Sequence, residues 1–491
     1  MKQVKKGIPK NLQRGIPLKV RPGHTVRLEV TDEPLTVHTG LSLFYAMAET
    51  LEIPWILDEQ VKVKERESGY SESEHILALA ANAFIGGDYL DDLEALREDV
   101  AIQKAIGRKD IPDPTTAGDF CRRFTLGHIL QMNRAFAEVE LEVYKRRREK
   151  TTGWTIDVDA KVQEVYGAQK EGAAKSYNGI YSLQTMYAFV DETEEMLHSE
   201  LRSGNTHPGG KAVAYLRRME RKVPAEVPEV TLRSDSALYN KAVIEFCEKR
   251  GWHFSITADQ TGALMRGVGA LSAKDWQEDA QDSSLAYGEF RYQPSRWPKD
   301  YRFLVRREKK EPKGGQGVLF APLAYSYYGV VTDREGEIQT LLEFHDRKGA
   351  AERRIGQFSN EFLRHLPLGN FMANWVYMLC AQLAYNLSYW LRDLVLPPFY
   401  RKKHIKRIRR CVGLVAAKVT QGGNQIRLKI SVLHRWWRDF VYAWRRIPSL
   451  GMVTGSGYRR YPEMFPMVAE GNNPFAREGY ILTTPKIDSF E

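Results

Sequence analysis

What the chain lacks narrows its class. Its 491 residues include only four cysteines, Cys121, Cys247, Cys380 and Cys411. No two stand in a C-x-x-C pair, so neither a cysteine zinc site nor a disulfide framework is expected, and a reducing compartment fits. The start, Met1-Lys-Gln-Val-Lys-Lys6, lacks the apolar core of a signal peptide. No internal repeat is visible. Long hydrophobic runs are missing but for one: Phe371 to Leu391 carries no charge over about 20 residues, the length of a membrane span. Asn374, Gln382, Asn386 and Ser388 interrupt it, so it reads as a buried core helix, and no membrane contact is expected. Acid is short relative to base. Lys and Arg number 72 against 62 Asp and Glu, a formal charge of +10, which favours an anionic partner such as nucleic acid. A hydrophobic content of 43% supports a large core, and the length predicts two to four domains.

Residues 1–38 are rich in Lys, Arg, Pro and Gly and read as an arm or short strands. Residues 39–150 read as helical. Apolar residues recur at three-to-four spacing from Leu41 to Leu51, and Pro54 ends that run. His75–Phe84 is a second helix. Thr115 or Thr116 is the expected N-cap of a helix holding Phe120 and Phe124, and a charged helix runs on to Lys150. The texture changes at Thr151. Trp154–Ala160, Ser182–Val190, Met196–Leu201, Glu229–Ser234 and His253–Thr257 read as strands, with helices at Val213–Arg221 and Ala242–Lys249. That order predicts an α/β fold with a mixed sheet. Residues 260–345 are strand-rich, at Glu289–Tyr292, Tyr301–Arg306 and Leu323–Val331, with a turn at Gly314–Gly317. A helix with Glu352 and the apolar helix follow. Arg401 to Arg446 then holds fourteen Lys and Arg against one acid, Asp439.

Three carboxylates carry the chemistry. Asp159 ends the run Trp154-Thr-Ile-Asp-Val-Asp159, Asp235 ends Val230-Thr-Leu-Arg-Ser-Asp235, and Glu352 opens a helical run. Carboxylates gathered from such elements in a basic protein point to a magnesium site acting on nucleic-acid phosphates. Two Mg²⁺ ions roughly 4 Å apart activate an attacking oxygen and stabilise the leaving one. Mg²⁺ uses few protein carboxylates, because water and phosphate fill its other positions. Oxygen-only ligands suit Mg²⁺ or Mn²⁺ rather than zinc. Each residue has a plainer reading. Asp157 lies two residues before Asp159 on the same strand face and rivals it as the first ligand. Asp235 also reads as an N-cap for the helix that follows, and Glu352 as a first-turn acid favoured by the helix dipole. Asp235 follows Asp159 by 76 residues and Glu352 follows Asp235 by 117, more than a compact α/β core needs, so a β-rich subdomain is expected between them.

The ordered series resembles a DDE transposase, and within that class the insertion-sequence "thirteen-eighty" family. The matching segments are Asp157-Val-Asp159-Ala, Val165-Tyr-Gly-Ala-Gln169, Leu232-Arg-Ser-Asp235-Ser, Lys348-Gly-Ala-Ala-Glu352, Phe371-Met-Ala-Asn374 and Leu383-Ala-Tyr-Asn386-Leu. Gly86-Gly-Asp-Tyr-Leu-Asp-Asp92 and Leu96-Arg-Glu-Asp99 resemble the family's helical N-terminal region. The resemblance spans roughly residues 40–392. It departs where relatives carry Tyr-x-x-Arg-x-x-x-Glu with a later Lys: here those places hold His345, Lys348, Glu352 and Ser359, and Ala160 replaces a Thr.

The resemblance implies a ribonuclease-H-like catalytic core of residues 151–259 and 346–395, with 260–345 as a β-rich insertion. It implies a basic arm (1–38), a helical DNA-binding N-terminal domain (39–150) and a basic C-terminal region (396–491). It further implies Asp159, Asp235 and Glu352 as catalytic ligands of two Mg²⁺ or Mn²⁺ ions. Arg347, Lys348, Arg353 and Arg354 would hold phosphates. Trp276 and Trp297 would stack on a flipped base near the cut, although a core tryptophan is the plainer reading of either. Arg401, Lys402, Lys403, Arg409 and Arg410 would contact DNA, with guide or partner RNA as an alternative for the same surface. The expected activity is cut-and-paste transposition by a homodimer on transposon-end double-stranded DNA and target DNA, in the nucleoid of a bacterial cytoplasm. The alternatives are a structure-specific nuclease with the same core, and a non-catalytic DNA-binding protein derived from a transposase.

Overall fold

The computed structural model describes residues 16–21, 24–65, 68–107, 110–147, 149–165, 169–176, 178–207, 209–309, 325–423 and 425–454. Outside the described residues lie the first fifteen of the arm, Tyr166–Ala168 of the second motif, the Gly314–Gly317 turn and everything after 454.

Strands β1 (Ile16–Arg21) and β2 (His24–Leu28) form an antiparallel pair, and β3 (Leu35–Thr36) leads into the helices. Helices then run from Gly40 to Arg146, as the apolar spacing predicts. The helix Glu72–Ile85 starts at a capping box: Glu74 N–H donates to Ser71 Oγ at 3.2 Å, and Ser71 N–H donates to Glu74 Oε2 at 2.8 Å. The expected cap at Thr115 or Thr116 is corrected. Asp113 caps that helix by accepting from Thr116 N–H at 2.9 Å, because Pro114 takes the first helical position, where its missing N–H costs nothing.

The α/β region follows in the predicted order. Its strands are β4 (Trp154–Glu164), β5 (Ala174–Lys175), β6 (Tyr181–Val190), β7 (Met196–Ser203), β8 (Val230–Ser234), β9 (His253–Thr257), β10 (Gln277–Glu278), β11 (Leu285–Tyr292), β12 (Tyr301–Lys309) and β13 (Tyr325–Thr332). They form one mixed ten-stranded sheet in the order β10-β11-β12-β13-β9-β8-β4-β6-β5, with β7 also paired to β6. Strands β4, β8 and β9 run parallel, and β6 is antiparallel to β4 and to β7. The helix Lys241–Lys249 bridges parallel β8 and β9, which no tight turn could join. The strands of 260–345 extend this sheet rather than build a second one. Val330, Val331 and Thr332 of β13 pair with Thr257, Ile256 and Ser255 of β9. A helix over Gly262–Gly269, capped by Thr261, lies at the start of this stretch and was not legible in the sequence.

The helix Phe371–Trp390 is buried nearly throughout, and among the described residues no helix is long and apolar enough to cross a membrane. Its polar residues have specific partners. Asn386 accepts from Met196 N–H and donates to Met196 O, both at 2.9 Å, and Gln382 donates to the same oxygen at 2.9 Å. Met196 opens β7, so these amides satisfy the backbone of a sheet edge that would otherwise be buried without partners. The helix packs on β7 with one side and on the Glu72–Ile85 helix with the other, which joins the helical region to the sheet.

The basic C-terminal stretch is folded onto the rest. Strand β14 (Ala417–Gly422) pairs with both β15 (Gln425–Ile430) and β3. The last described helix, Trp437–Thr454, buries Phe440, Ala443, Ile447 and Leu450, at the three-to-four spacing of a single helix face.

Candidate active site

Parallel pairing of β4 with β8 sets the centre of the site. The register runs from Trp154 opposite Val230 to Val158 opposite Ser234, so the next residues, Asp159 and Asp235, lie side by side where β8 ends. Asp235 turns the chain. It accepts from Ala237 N–H at 3.1 Å and caps the short 3₁₀ turn Ser236–Leu238, while Asn240 caps the longer helix that follows. Asp159 is largely shielded. Ala160 N–H donates to its Oδ1 at 2.8 Å, and Lys348 Nζ lies 3.4 Å from its Oδ2. Burial pushes the Asp159 pKa up; Lys348 opposes the rise and the charge of Asp235 adds to it.

Glu352 lies in the first turn of the helix Gly349–Glu361, and Lys348 is that helix's N-cap residue, in helical conformation. Side chains four apart on a helix are neighbours, with Cβ atoms roughly 5–6 Å apart. Glu352 therefore shares a helix face with the lysine that touches Asp159. It is exposed, at the solvent side of that face. Among the described residues no three His, Cys, Asp or Glu side chains are gathered closely enough to hold a metal ion. The structure thus brings Asp159 and Asp235 together and leaves Glu352 at the rim. Two neighbouring carboxylates fit a Mg²⁺ or Mn²⁺ ion that takes its other ligands from water and phosphate.

Asp157, the rival ligand, is wholly buried and already committed. Arg233 donates Nε to its Oδ1 at 2.6 Å and Nη2 to its Oδ2 at 2.9 Å, and Arg354 Nη1 donates to Oδ2 at 3.0 Å. Both arginines also bind Asp191, which follows β6, Arg233 at 3.0 Å. Burial pushes the Asp157 carboxyl up, and two guanidiniums oppose the rise. Two acids and two bases thus balance beneath the site. Arg354, expected to hold phosphate, is corrected: only 3% of it is exposed, and Asp157 and Asp191 occupy its guanidinium. A guanidinium held by two carboxylates and shielded from solvent is out of reach of DNA.

The remaining cations divide. Arg347, next to Lys348 in the chain, and Arg353, in the second turn of the helix, are exposed, as are Arg401, Lys402, Lys403 and Arg410 farther along. Arg409 is corrected. It is buried, donating Nε to Phe84 O at 2.5 Å and Nη1 to Glu361 Oε2 at 2.9 Å, so it ties the Glu72–Ile85 helix to the end of the Glu352 helix. Trp297 packs at 5.3 Å from both Tyr239 and Tyr301, against the core. Trp276 is half-buried with the Arg307 guanidinium 4.3 Å from its ring centre.

Sequence reasoning missed a second group. His345 is fully buried, hydrogen-bonded to Ser255 Oγ at 2.8 Å and Thr257 Oγ1 at 3.0 Å, and Thr257 bonds Tyr328 at 3.0 Å. Burial, with the charges of Arg233 and Lys348, lowers its pKa to about 3, so it is neutral. The resemblance led to tyrosine being expected at position 345, and that departure was its one signal. Asp191 had none, since a lone acid after a strand is ordinary.

Residues 18–452 match the family model described as transposase DDE domain, group 1. No curated protein matches the chain. Among solved structures, the piggyBac transposase synaptic complex with hairpin DNA is similar over 91% of this chain and 86% of that one, at 11% identity and a TM-score of 0.39. A likeness that slight carries no argument, whereas the family model covers most of the chain. The chain belongs to the family of transposases that share this DDE domain.

Proposed function

We propose that the protein is a cut-and-paste DNA transposase of the insertion-sequence "thirteen-eighty" type, with Asp159, Asp235 and Glu352 as its catalytic carboxylates. The observation that carries this reading is the placement of Asp235, just past the end of β8, abreast of Asp159 on parallel β4, with Lys348 reaching in from the start of the Glu352 helix. The strand order β7-β6-β4-β8-β9, with three antiparallel strands followed by two parallel ones, supports a ribonuclease-H-like core. On this reading residues 151–259 and 346–395 form that core, and 260–345 widen its sheet. Residues 39–150 and 396–491 flank it as DNA-binding regions.

Held by Asp159 and Asp235 with Glu352, two divalent ions, Mg²⁺ or Mn²⁺, would supply activation of the attacking oxygen and stabilisation of charge on the phosphoryl group. The chain's own residues position. Asp159 and Asp235 would present hard oxygen ligands from β4 and the end of β8, with Glu352 as the third carboxylate at the solvent rim. Arg347 and Arg353 are exposed toward the incoming phosphates, and Lys348 lies against Asp159 at the start of the Glu352 helix. Phosphoryl transfer asks mainly for positioning and charge stabilisation, so no protein nucleophile is needed. Transposon-end and target duplexes are the substrates, and a homodimer pairs the two ends in the bacterial nucleoid.

The test uses duplex DNA carrying the sequences that flank the coding region. Asp159→Asn, Asp235→Asn and Glu352→Gln should each abolish strand cleavage and leave DNA binding intact by gel shift. Cleavage by all three variants at the wild-type rate would remove the assignment.

A further inference from the structure

The counter-ion of Asp159 is a lysine between two helices. Lys348 stands at the junction between the end of the Ile338–Asp346 helix and the start of the Gly349–Glu361 helix, where the two helix ends act on its charge in opposite senses. Its distance to Asp159 is 3.4 Å, longer than the roughly 2.7–2.9 Å of a strong charge-assisted hydrogen bond. The pair is nevertheless largely shielded, with 13% of the Lys348 side chain and 11% of the Asp159 side chain exposed. Asp159 needs a cation there, because it is buried beside a second carboxylate, Asp235. Arg233 and Arg354 cannot serve, since Asp157 and Asp191 hold them. Lys348 is therefore a weakly bound charge in a position that requires one.

Its surroundings supply a second place for the same ammonium. Arg347 is exposed immediately before it in the chain, and Arg353 is exposed in the second turn of the helix that Lys348 begins. A phosphate drawn to the exposed Arg347 would offer Lys348 a partner as soon as Asp159 released it.

Resting on the assignment of Asp159 as a metal ligand, we propose that Lys348 is an exchangeable counter-ion. A divalent cation displaces it from Asp159, and the displaced ammonium becomes a ligand of the DNA phosphate. Metal and DNA then bind cooperatively, because each favours the same position of one side chain. No bond is made or broken in the exchange; only the partners of two charges change.

The experiment is a Mn²⁺ titration of the full chain without DNA, followed by electron paramagnetic resonance or calorimetry. Wild type is compared with Lys348→Met and Lys348→Gln, with circular dichroism confirming that at least one of them folds. Removing a unit charge that competes for Asp159 should tighten Mn²⁺ binding about tenfold. Lys348→Arg should bind Mn²⁺ like wild type. In a second arm, Ca²⁺ should strengthen wild-type binding to an arbitrary DNA duplex severalfold, and that gain should vanish in Lys348→Met. Unchanged or weaker Mn²⁺ binding by a folded Met or Gln variant would overturn the exchange while leaving the metal site intact. If wild type takes up no Mn²⁺, or if Asp159→Asn takes it up equally well, the metal-ligand assignment itself is wrong.

Discussion

Arg354 and Asp157 form a buried ion pair at 3.0 Å, and each lies two residues from a proposed catalytic carboxylate. Arg354 follows Glu352 by two positions on its helix, and Asp157 precedes Asp159 by two on its strand. The pair, with Arg233 and Asp191, fastens the Glu352 helix to the sheet and so fixes where that helix can present its first turn.

The two neighbouring aspartates should consequently fail in opposite ways. Asp157→Ala leaves two buried guanidiniums short of charge and should cost about 3–5 kcal/mol of stability. Asp159→Ala removes a weakly paired carboxylate that Asp235 repels and should leave stability nearly unchanged while abolishing cleavage. Urea unfolding of both variants, beside a cleavage assay, checks this. An unstable Asp159→Ala with a stable, inactive Asp157→Ala would reverse the assignment.

His345 should make the protein acid-sensitive in a defined window. Its folded pKa is about 3, below the roughly 6.5 of an unfolded histidine. Between those values the unfolded chain binds a proton that the native protein does not, so stability falls as pH falls through that range. One such proton gives a slope of about 1.4 kcal/mol per pH unit. His345→Gln should flatten the dependence of unfolding free energy on pH by up to that amount between about pH 6 and pH 4. An equal slope in wild type and variant would show that His345 is protonated in place.

The basic C-terminal region should contribute affinity without sequence preference. Replacing exposed Arg401, Lys402, Lys403 and Arg410 by glutamine should reduce the slope of log affinity against log salt by about 0.9 for each phosphate that the variant no longer neutralises. An unchanged slope would place these cations away from the DNA. Arg409→Gln should act differently. Its guanidinium holds Phe84 and Glu361, so the effect should appear in thermal stability rather than in the salt slope.

The sequence disclosed most of the strands and helices that bear the site, because alternation or an uncharged apolar run marks them; His253–Thr257 and the Phe371–Trp390 helix are examples. But β4 runs on to Glu164, so Asp159 lies within its strand rather than at the end expected. The separation between Asp159 and Asp235 was also informative, since it leaves room for the strands and helix that must intervene before β8 returns beside β4. The fates of individual arginines were not legible. Arg353 and Arg354 are adjacent, yet one faces solvent and the other lies under the sheet, a distinction fixed by the helix's orientation against Asp157 and Asp191. Likewise nothing local marked β13 as a partner of β9, because that pairing joins segments far apart in the chain. Strand pattern left Asp157 as a rival to Asp159, and only the resemblance favoured Asp159. Their partners separate them, and those partners belong to the assembled sheet.

The most direct test is cleavage and joining on one substrate. Linear DNA bearing the flanking sequences of the coding region, mixed with target plasmid and purified protein, should yield cut ends and joined products with Mg²⁺ or Mn²⁺. Both products should vanish in excess EDTA and in Asp159→Asn. Ca²⁺ should support binding with little chemistry. Cutting that persists in EDTA, or in the Asp159→Asn variant, would contradict the metal-dependent carboxylate mechanism at its centre.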